Sequence, residues 1–305
     1  MPGTVVVHTA GHELEVFAAD RLLFVYRYAG EEPQIESPRP YFHPLCTLAG
    51  ESVTDFRPAD HAWHHGLSMT CAELSGENFW GGPTWVTGHG YAQLENNGRV
   101  DHEGWQEGSQ QGGSRDGTSP LEERLAWTTQ AGERWLEERR RIAVDEIDAE
   151  GGHWTLGLGF ELRNVSGRAL ELGSPTTAGR PDAGYGGLFW RGPAWFVGGR
   201  ILAGGALEGP EVMGKRSPWL AFTGRHDGSG RTSTLVFVDD PRNPRYPTTW
   251  FVRNEPYACA SFAFMFHETY PLAAGEELVL RYRLIVADGA WPRARIESAV
   301  AGHPA

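Results

Sequence analysis

Strict alternation of apolar and polar residues restricts the fold of this chain more than any other feature. Between 153 and 164 the sequence reads HWTLGLGFELRN. Trp154, Leu156, Leu158, Phe160 and Leu162 would share one face, with His153, Thr155, Glu161 and Arg163 on the other. Successive side chains of a strand point to opposite faces, whereas a helix repeats its apolar residues every three to four positions. The period-two signal recurs in ELVLRYRLIV (277–286), SFAFMF (261–266), TSTLVFV (232–238) and RLLFVYRY (21–28). The 40 Gly and 20 Pro are scattered as punctuation, which suits many strands joined by turns. These signals predict an all-β chain: a large antiparallel β-sandwich forming a single domain over residues 1–305.

Three segments stand apart. LEERLAWTTQAGERWLEERRRIAV contains good helix formers, but Ala131-Gly132 sits midway as a turn between aromatic and β-branched residues. It reads as a long β-hairpin within 121–148. A short helix is expected around 291–300. The polar stretch 108–119, GSQQGGSRDGTS, lacks the apolar surface needed to order itself and is expected to be a flexible loop.

Charge narrows the partners. The formal net charge is −12, from 27 Lys and Arg against 39 Asp and Glu, with no basic stripe, so nucleic acid is not an expected partner. The cluster Arg139-Arg140-Arg141 is flanked by Glu137-Glu138 and Asp145-Glu146 and reads as a charge-balanced, solvated strand. No apolar run approaches the ~20 residues of a membrane helix. The N-terminal segment has neither a basic n-region nor an apolar h-region. Three Cys without a CxxC fit buried thiols in a reducing compartment. The expected location is the cytoplasm, with no membrane partner, and the sequence leaves the oligomeric state open.

The chemistry-bearing residues gather in a few places. His43, His61, His64 and His65 lie between positions 43 and 65, and His89 follows in GHGY. Imidazole is the usual general acid or base near neutral pH and the commonest zinc ligand. In an extended strand His61 and His65 share a face while His64 turns away; on a helix all three would group. GENFWGG (76–82) supplies Glu77, Asn78 and Trp80. Sugars stack their C–H faces on indole rings and offer their hydroxyls to carboxylates, amides, Arg and His. GYGGLFWRG (184–192) supplies Arg191, a potential clamp. DDPRNPRYPTTWFVRN (239–254) supplies Asp240, Asn243 and Trp250. No GxSxG, GxGxxG, HExxH or CxxC motif is present.

Taken together, RPYFHPL, RPADHAWHHGL, GENFWGG, GYGGLFWR and DPRNPRYPTTWFVR resemble an uncharacterised bacterial family whose members often carry the label "methane oxygenase PmoA". A subunit of a membrane methane monooxygenase would need transmembrane helices, for which this sequence has no candidate. The resemblance spans roughly 35–290. It implies a galactose-mutarotase-like β-supersandwich, a fold shared by aldose epimerases, glycoside hydrolases and polysaccharide lyases. The family's matching positions here are Arg39, His43, Asp60, His61, His64, His65, Trp80, Arg191, Asn243 and Trp250. No match to a mutarotase's own catalytic His and Glu motifs is visible.

The resulting expectation is a carbohydrate-active enzyme working on a sugar or glycoside by general acid–base catalysis in an open cleft. His64 or His65 would be the acid and Glu77 the base. Arg39, His43, His61, Asn78, Trp80, His89, Arg191, Asp240, Asn243 and Trp250 would bind the substrate. No cofactor and no metal are expected on this reading. The rivals are a metal-dependent hydrolase or oxygenase built on His43, His61 and His65, and a non-catalytic sugar-binding protein.

Overall fold

The computed structural model describes residues 4–106 and 120–302; the loop expected at 108–119 lies outside them. Two large antiparallel sheets pack face to face. One has eleven strands, and its main path runs Thr4–Thr9, Glu13–Ala18, Arg21–Arg27, Tyr41–Leu45, Leu67–Leu74, Gly187–Arg191, Cys259–Phe262 and Trp250–Arg253. The other has eight strands in the order Arg200–Ala203, Trp219–Arg225, Thr232–Asp239, Glu277–Asp288, His153–Asn164, Arg134–Asp148, Leu121–Thr128 and Arg99–Trp105. A small two-stranded hairpin, Thr84–Val86 with Gly90–Ala92, stands apart.

Alternation places the core. Leu67, Met69 and Cys71 of one sheet meet Leu156, Leu158, Phe160, Leu278, Leu280 and Leu284 of the other in a single apolar cluster. Each such side chain stabilises the fold by roughly 1.5–3 kcal/mol when fully buried. Trp154, Trp190 and Trp250 belong to this cluster, and each satisfies its indole N–H on a backbone carbonyl: Cys46, Val53 and Ser217, at 2.8, 2.8 and 2.9 Å. Trp250 is therefore core, not the substrate platform expected of it.

The hairpin forms as expected: Leu121–Thr128 pairs with Arg134–Asp148 around a turn at 129–133. The helix covers Arg293–Ala301, starting after Pro292. It lies on the outer face of the eight-stranded sheet, where Trp291 and Ile296 pack on Trp219, Val236 and Ile285. This explains one departure from the sequence pattern: His153 and Thr155, expected to face water, are buried. SFAFMF also shortens, its strand ending at Phe262.

Arg140 is the larger departure. Its neighbours Arg139 and Arg141 are exposed, but Arg140 points between the sheets and is fully buried. It donates from Nε to Glu138 (2.6 Å) and from a terminal nitrogen to the Tyr26 hydroxyl (3.0 Å). Tyr26 in turn donates to Glu123, which also accepts from His102 Nδ1 at 2.6 Å. The Trp127 indole completes Glu138 at 2.7 Å. A buried ionic group survives only when paired and hydrogen-bonded in this way.

Candidate functional site

The same alternation that sends Leu67, Met69, Leu188 and Trp190 inward sends Ser68, Thr70, Phe189 and Arg191 to the outer face of the eleven-stranded sheet. There Trp80, Phe189, Phe251 and Phe266 form a second apolar cluster, with Trp63, Tyr185 and Tyr257 half-buried against it. The loop preceding strand Leu67–Leu74 delivers the histidines onto this surface. Gly66 makes the entry possible: its φ is +47°, and a Cβ there would sit 2.1 Å from the Phe42 carbonyl oxygen. Gly82 does the same for Trp63, whose ring lies where a Cβ would be, 2.6 Å away.

Asp60 organises the centre. Both of its oxygens accept from Arg191, at 3.0–3.2 Å, and Oδ2 also meets His61 Nδ1 at 2.7 Å. A carboxylate can only accept, so His61 carries its proton on Nδ1. In the neutral ring Nε2 then carries the lone pair, and it has no hydrogen-bond partner among the described residues. Burial pushes the Asp60 carboxyl upward, but the hydrogen bonds from Arg191 and His61 outweigh it and hold it below the usual carboxylate range.

His64 is the mirror case. Arg191 donates to His64 Nδ1 at 3.0 Å, and a guanidinium cannot accept, so the His64 proton is on Nε2. Burial, then the nearby His61 and Arg191, drive its pKa well below the ordinary value. His64 is thus a neutral N–H donor at pH 7, and not the protonated acid expected of it. Its ring stacks on His61, centroids 4.5 Å apart, and meets Trp80 and Tyr257 edge-on. Tyr257 also lies against the Arg191 guanidinium, 4.3 Å from ring centroid to carbon.

His65 faces a different partner. Its Nε2 donates to Glu36 at 3.1 Å, and Arg57 grips the same carboxylate with two hydrogen bonds of 2.7 and 2.9 Å. Burial pulls His65 down to about 4, so it too is neutral at pH 7. Its Nδ1 and the Nε of Arg191 are both buried without a partner among the described residues. Arg39, fully buried beside them, donates to the carbonyls of Glu36, Ser37, Trp63 and Trp80 and to Ser68 Oγ, which ties the loops together.

Several expected residues stand elsewhere. The Glu77 carboxylate accepts from the Gln130 N–H at 3.0 Å, in the turn of the long hairpin; the carboxylates that serve the histidines are Glu36 and Asp60. Asn78 is buried and braces its own loop, accepting from the N–H groups of Trp80 and Gly81 and donating to Gly82 and Thr84. His89 is exposed in the turn of the two-stranded hairpin. His43 hydrogen-bonds Thr54 at 3.0 Å, and the Phe56 ring packs against both His43 and His65. His43, His61 and His65 therefore serve three different partners, and among the described residues no three His, Cys, Asp or Glu side chains converge as a metal would need. Asp240 and Asn243 belong to the other sheet: Asp240 lines a cavity on its outer face, and Asn243 bridges Asp239 to the Arg281 backbone.

Sequence reasoning missed Glu36, Tyr185 and Tyr257 as members of the site. Glu36 lies 29 positions before His65, in a short turn, and no spacing links the two.

Among solved structures, the chain has TM-scores of 0.36 and 0.32 with α-galactosidases from Lactobacillus brevis and Geobacillus stearothermophilus, the latter in complex with raffinose. Identities are 9% and 14%; 94% of this chain is covered in both cases, against 39% and 41% of theirs. The chain thus spans about two fifths of those proteins. A putative aldose 1-epimerase from Klebsiella pneumoniae gives 0.29 at 12% identity, with 98% of this chain and 83% of that one covered. No protein with a curated description matches the sequence. No helix among the described residues is long and apolar enough to cross a membrane. Residues 13–301 match DUF6807, a family of unknown function, and the chain belongs to that family.

Proposed function

We propose that the outer face of the eleven-stranded sheet binds a sugar or glycoside, and that His61 is the proton acceptor of a carbohydrate-directed acid–base reaction. The observation that carries this reading is the sharing of Asp60 between His61 and Arg191. Asp60 holds the imidazole with Nδ1 protonated and Nε2 available, and it would stabilise the imidazolium formed when Nε2 takes a hydroxyl proton. Arg191 keeps Asp60 ionised. His64, through Nε2–H, offers the developing oxyanion a donor that does not itself change charge. Trp63, Tyr185 and Tyr257 supply partly buried rings against which the C–H face of a pyranose can lie.

The test uses D-glucose, D-galactose and their p-nitrophenyl glycosides, with saturation-transfer NMR for binding and proton NMR for conversion. Binding and conversion by the native protein are expected. His61→Ala should lower conversion by about 10²–10⁴-fold, the usual worth of a general base, while binding changes only a few-fold. Full turnover in His61→Ala would remove the assignment. Binding without conversion by the native chain would leave a sugar-binding protein in its place.

A further inference from the structure

A cavity of about 520 Å³ opens on the outer face of the eight-stranded sheet, away from the histidines. Its floor is Gly159 in the central strand His153–Asn164, with the Asp145 carboxylate lying over the neighbouring Gly157. Along one side stand Arg281 and Arg283 of strand Glu277–Asp288; along the other stand Arg139 and Arg141 of strand Arg134–Asp148. The register aligns Glu122, Arg141, Gly159 and Arg281 in one row across four strands, and Asp240 lines the cavity beyond Arg281. Two guanidinium-bearing positions thus face each other over a glycine, two strand spacings or roughly 10 Å apart.

Gly159 has no structural need to be glycine. Its φ is not in the left-handed region, and an added Cβ would meet only Arg141 Cβ, at an ordinary 3.4 Å. Glycine inside a strand weakens the strand and marks places where another molecule approaches the backbone. Neither the Arg141 nor the Arg281 side chain makes a hydrogen bond or an ion pair within 4 Å among the described residues, whereas Arg139 and Arg242 are paired with Glu161 and Asp240. Between Arg141 and Arg281 the register places only Gly159, which carries no charge.

The charge of the cavity selects the occupant. Among the described residues, five arginines line it with their side chains (Arg139, Arg141, Arg242, Arg281 and Arg283, the Arg140 side chain being in the core). Four carboxylates line it with them: Glu122, Asp145, Glu161 and Asp240. The balance, 5 − 4 = +1, suits a single negative charge and disfavours a dianion. The carboxylates are acceptors suited to hydroxyl groups.

We propose that this trench is a second ligand site and takes a monoanionic, hydroxyl-rich molecule of one or two rings, that is, a sugar acid. Its carboxylate lies over Gly159 between Arg141 and Arg281. Its hydroxyls donate to Glu161 or Asp240.

Calorimetric titration with D-glucuronate and D-galacturonate tests this, with D-glucose and inorganic phosphate as controls. At least one uronate should bind, and D-glucose about tenfold or more weaker, the worth of a charge-assisted hydrogen-bond pair. Arg281→Ala and Arg141→Ala should each weaken binding by about tenfold. Gly159→Val, which fills the floor and touches no charge, should abolish binding without lowering the thermal midpoint. His61→Ala should leave uronate binding unchanged, so the two sites fail separately. Absence of uronate binding, D-glucose or phosphate binding as tight as that of uronate and equally lost in Arg281→Ala, or insensitivity of uronate binding to Arg281→Ala would each overturn the proposal.

Discussion

Two ionic networks in this molecule invite comparison: Glu123–Tyr26–Arg140–Glu138 between the sheets, and Asp60–Arg191–His64 with Glu36–His65 on the outer face. In the first, each of these four side chains has a polar partner. The second is equally dense, yet Arg191 Nε and His65 Nδ1 are buried without a partner among the described residues, and Asp60 remains 44% exposed. A network meant only to hold a fold gains nothing from loose ends, because each one costs the desolvation of that group. The contrast separates polar residues that brace the sandwich from polar residues held ready for something else.

The comparison can be broken most directly from the core side. Arg140→Met leaves Glu138 buried without its guanidinium and should cost about 3–5 kcal/mol of stability in urea unfolding. The catalytic activity or ligand binding of the molecules still folded should be unchanged. A cost below about 1 kcal/mol would mean the inner network is not structural in the sense drawn here.

Acid tests the outer network. His65 sits near 4 in the folded protein, against about 6.5 in an unfolded chain. Below 6.5 the unfolded chain takes up a proton that the folded protein refuses, so stability falls with pH, by about 3 kcal/mol over the full window down to 4. His64 shifts in the same direction and adds to the loss. Glu36 and Asp60, both held below their ordinary values, contribute only under about pH 4.5. Unfolding curves at pH 7, 6 and 5 should show the decline, and His65→Gln should flatten it. A profile level from 6.5 to 5 would contradict the burial of both rings.

The smallest stability effect should accompany a large functional one. Asp60→Asn removes the charge of a nearly half-exposed carboxylate but keeps an acceptor oxygen for the buried Arg191, and should cost about 1–2 kcal/mol, less than Arg140→Met. It should nevertheless lower any conversion that depends on His61 by about 10²-fold or more, since the imidazolium loses the negative charge that stabilises it. If Asp60→Asn unfolds the protein as readily as Arg140→Met does, the two networks are the same kind of object.

Much of the scaffold was legible in the sequence, and much of the site was not. Period two identified the strands around 153–164, 232–238 and 277–286, and the turn at Ala131-Gly132 identified the hairpin. Period two states which residues share a face; it does not state what covers that face. Hence His153 was expected in water and lies under the C-terminal helix. The same ambiguity made Arg140 look solvated and Trp250 look like a binding platform. Proximity along the chain misled in a second way. Glu77 follows the histidines closely but belongs to another turn, while Glu36 reaches His65 only because the chain folds back through Arg39 and Ser37. Asp240 and Asn243 shared a motif-like segment with Trp250, yet that segment crosses from one sheet to the other.

The order of strands in the eleven-stranded sheet has a kinetic consequence. Leu67–Leu74 pairs with Gly187–Arg191, which pairs with Cys259–Phe262, so neighbours in space are drawn from thirds of the chain far apart in sequence. Closing loops of that length comes before any contact across them can be rewarded, which makes such pairings slow to form. Asp60, Arg191 and Tyr257 meet only when all three strands are in register. Folding intermediates that have the hairpins but not these pairings contain no site. Recovery of ligand binding after dilution from denaturant should therefore trail the recovery of strand signal, and its time course would clock the last event in folding.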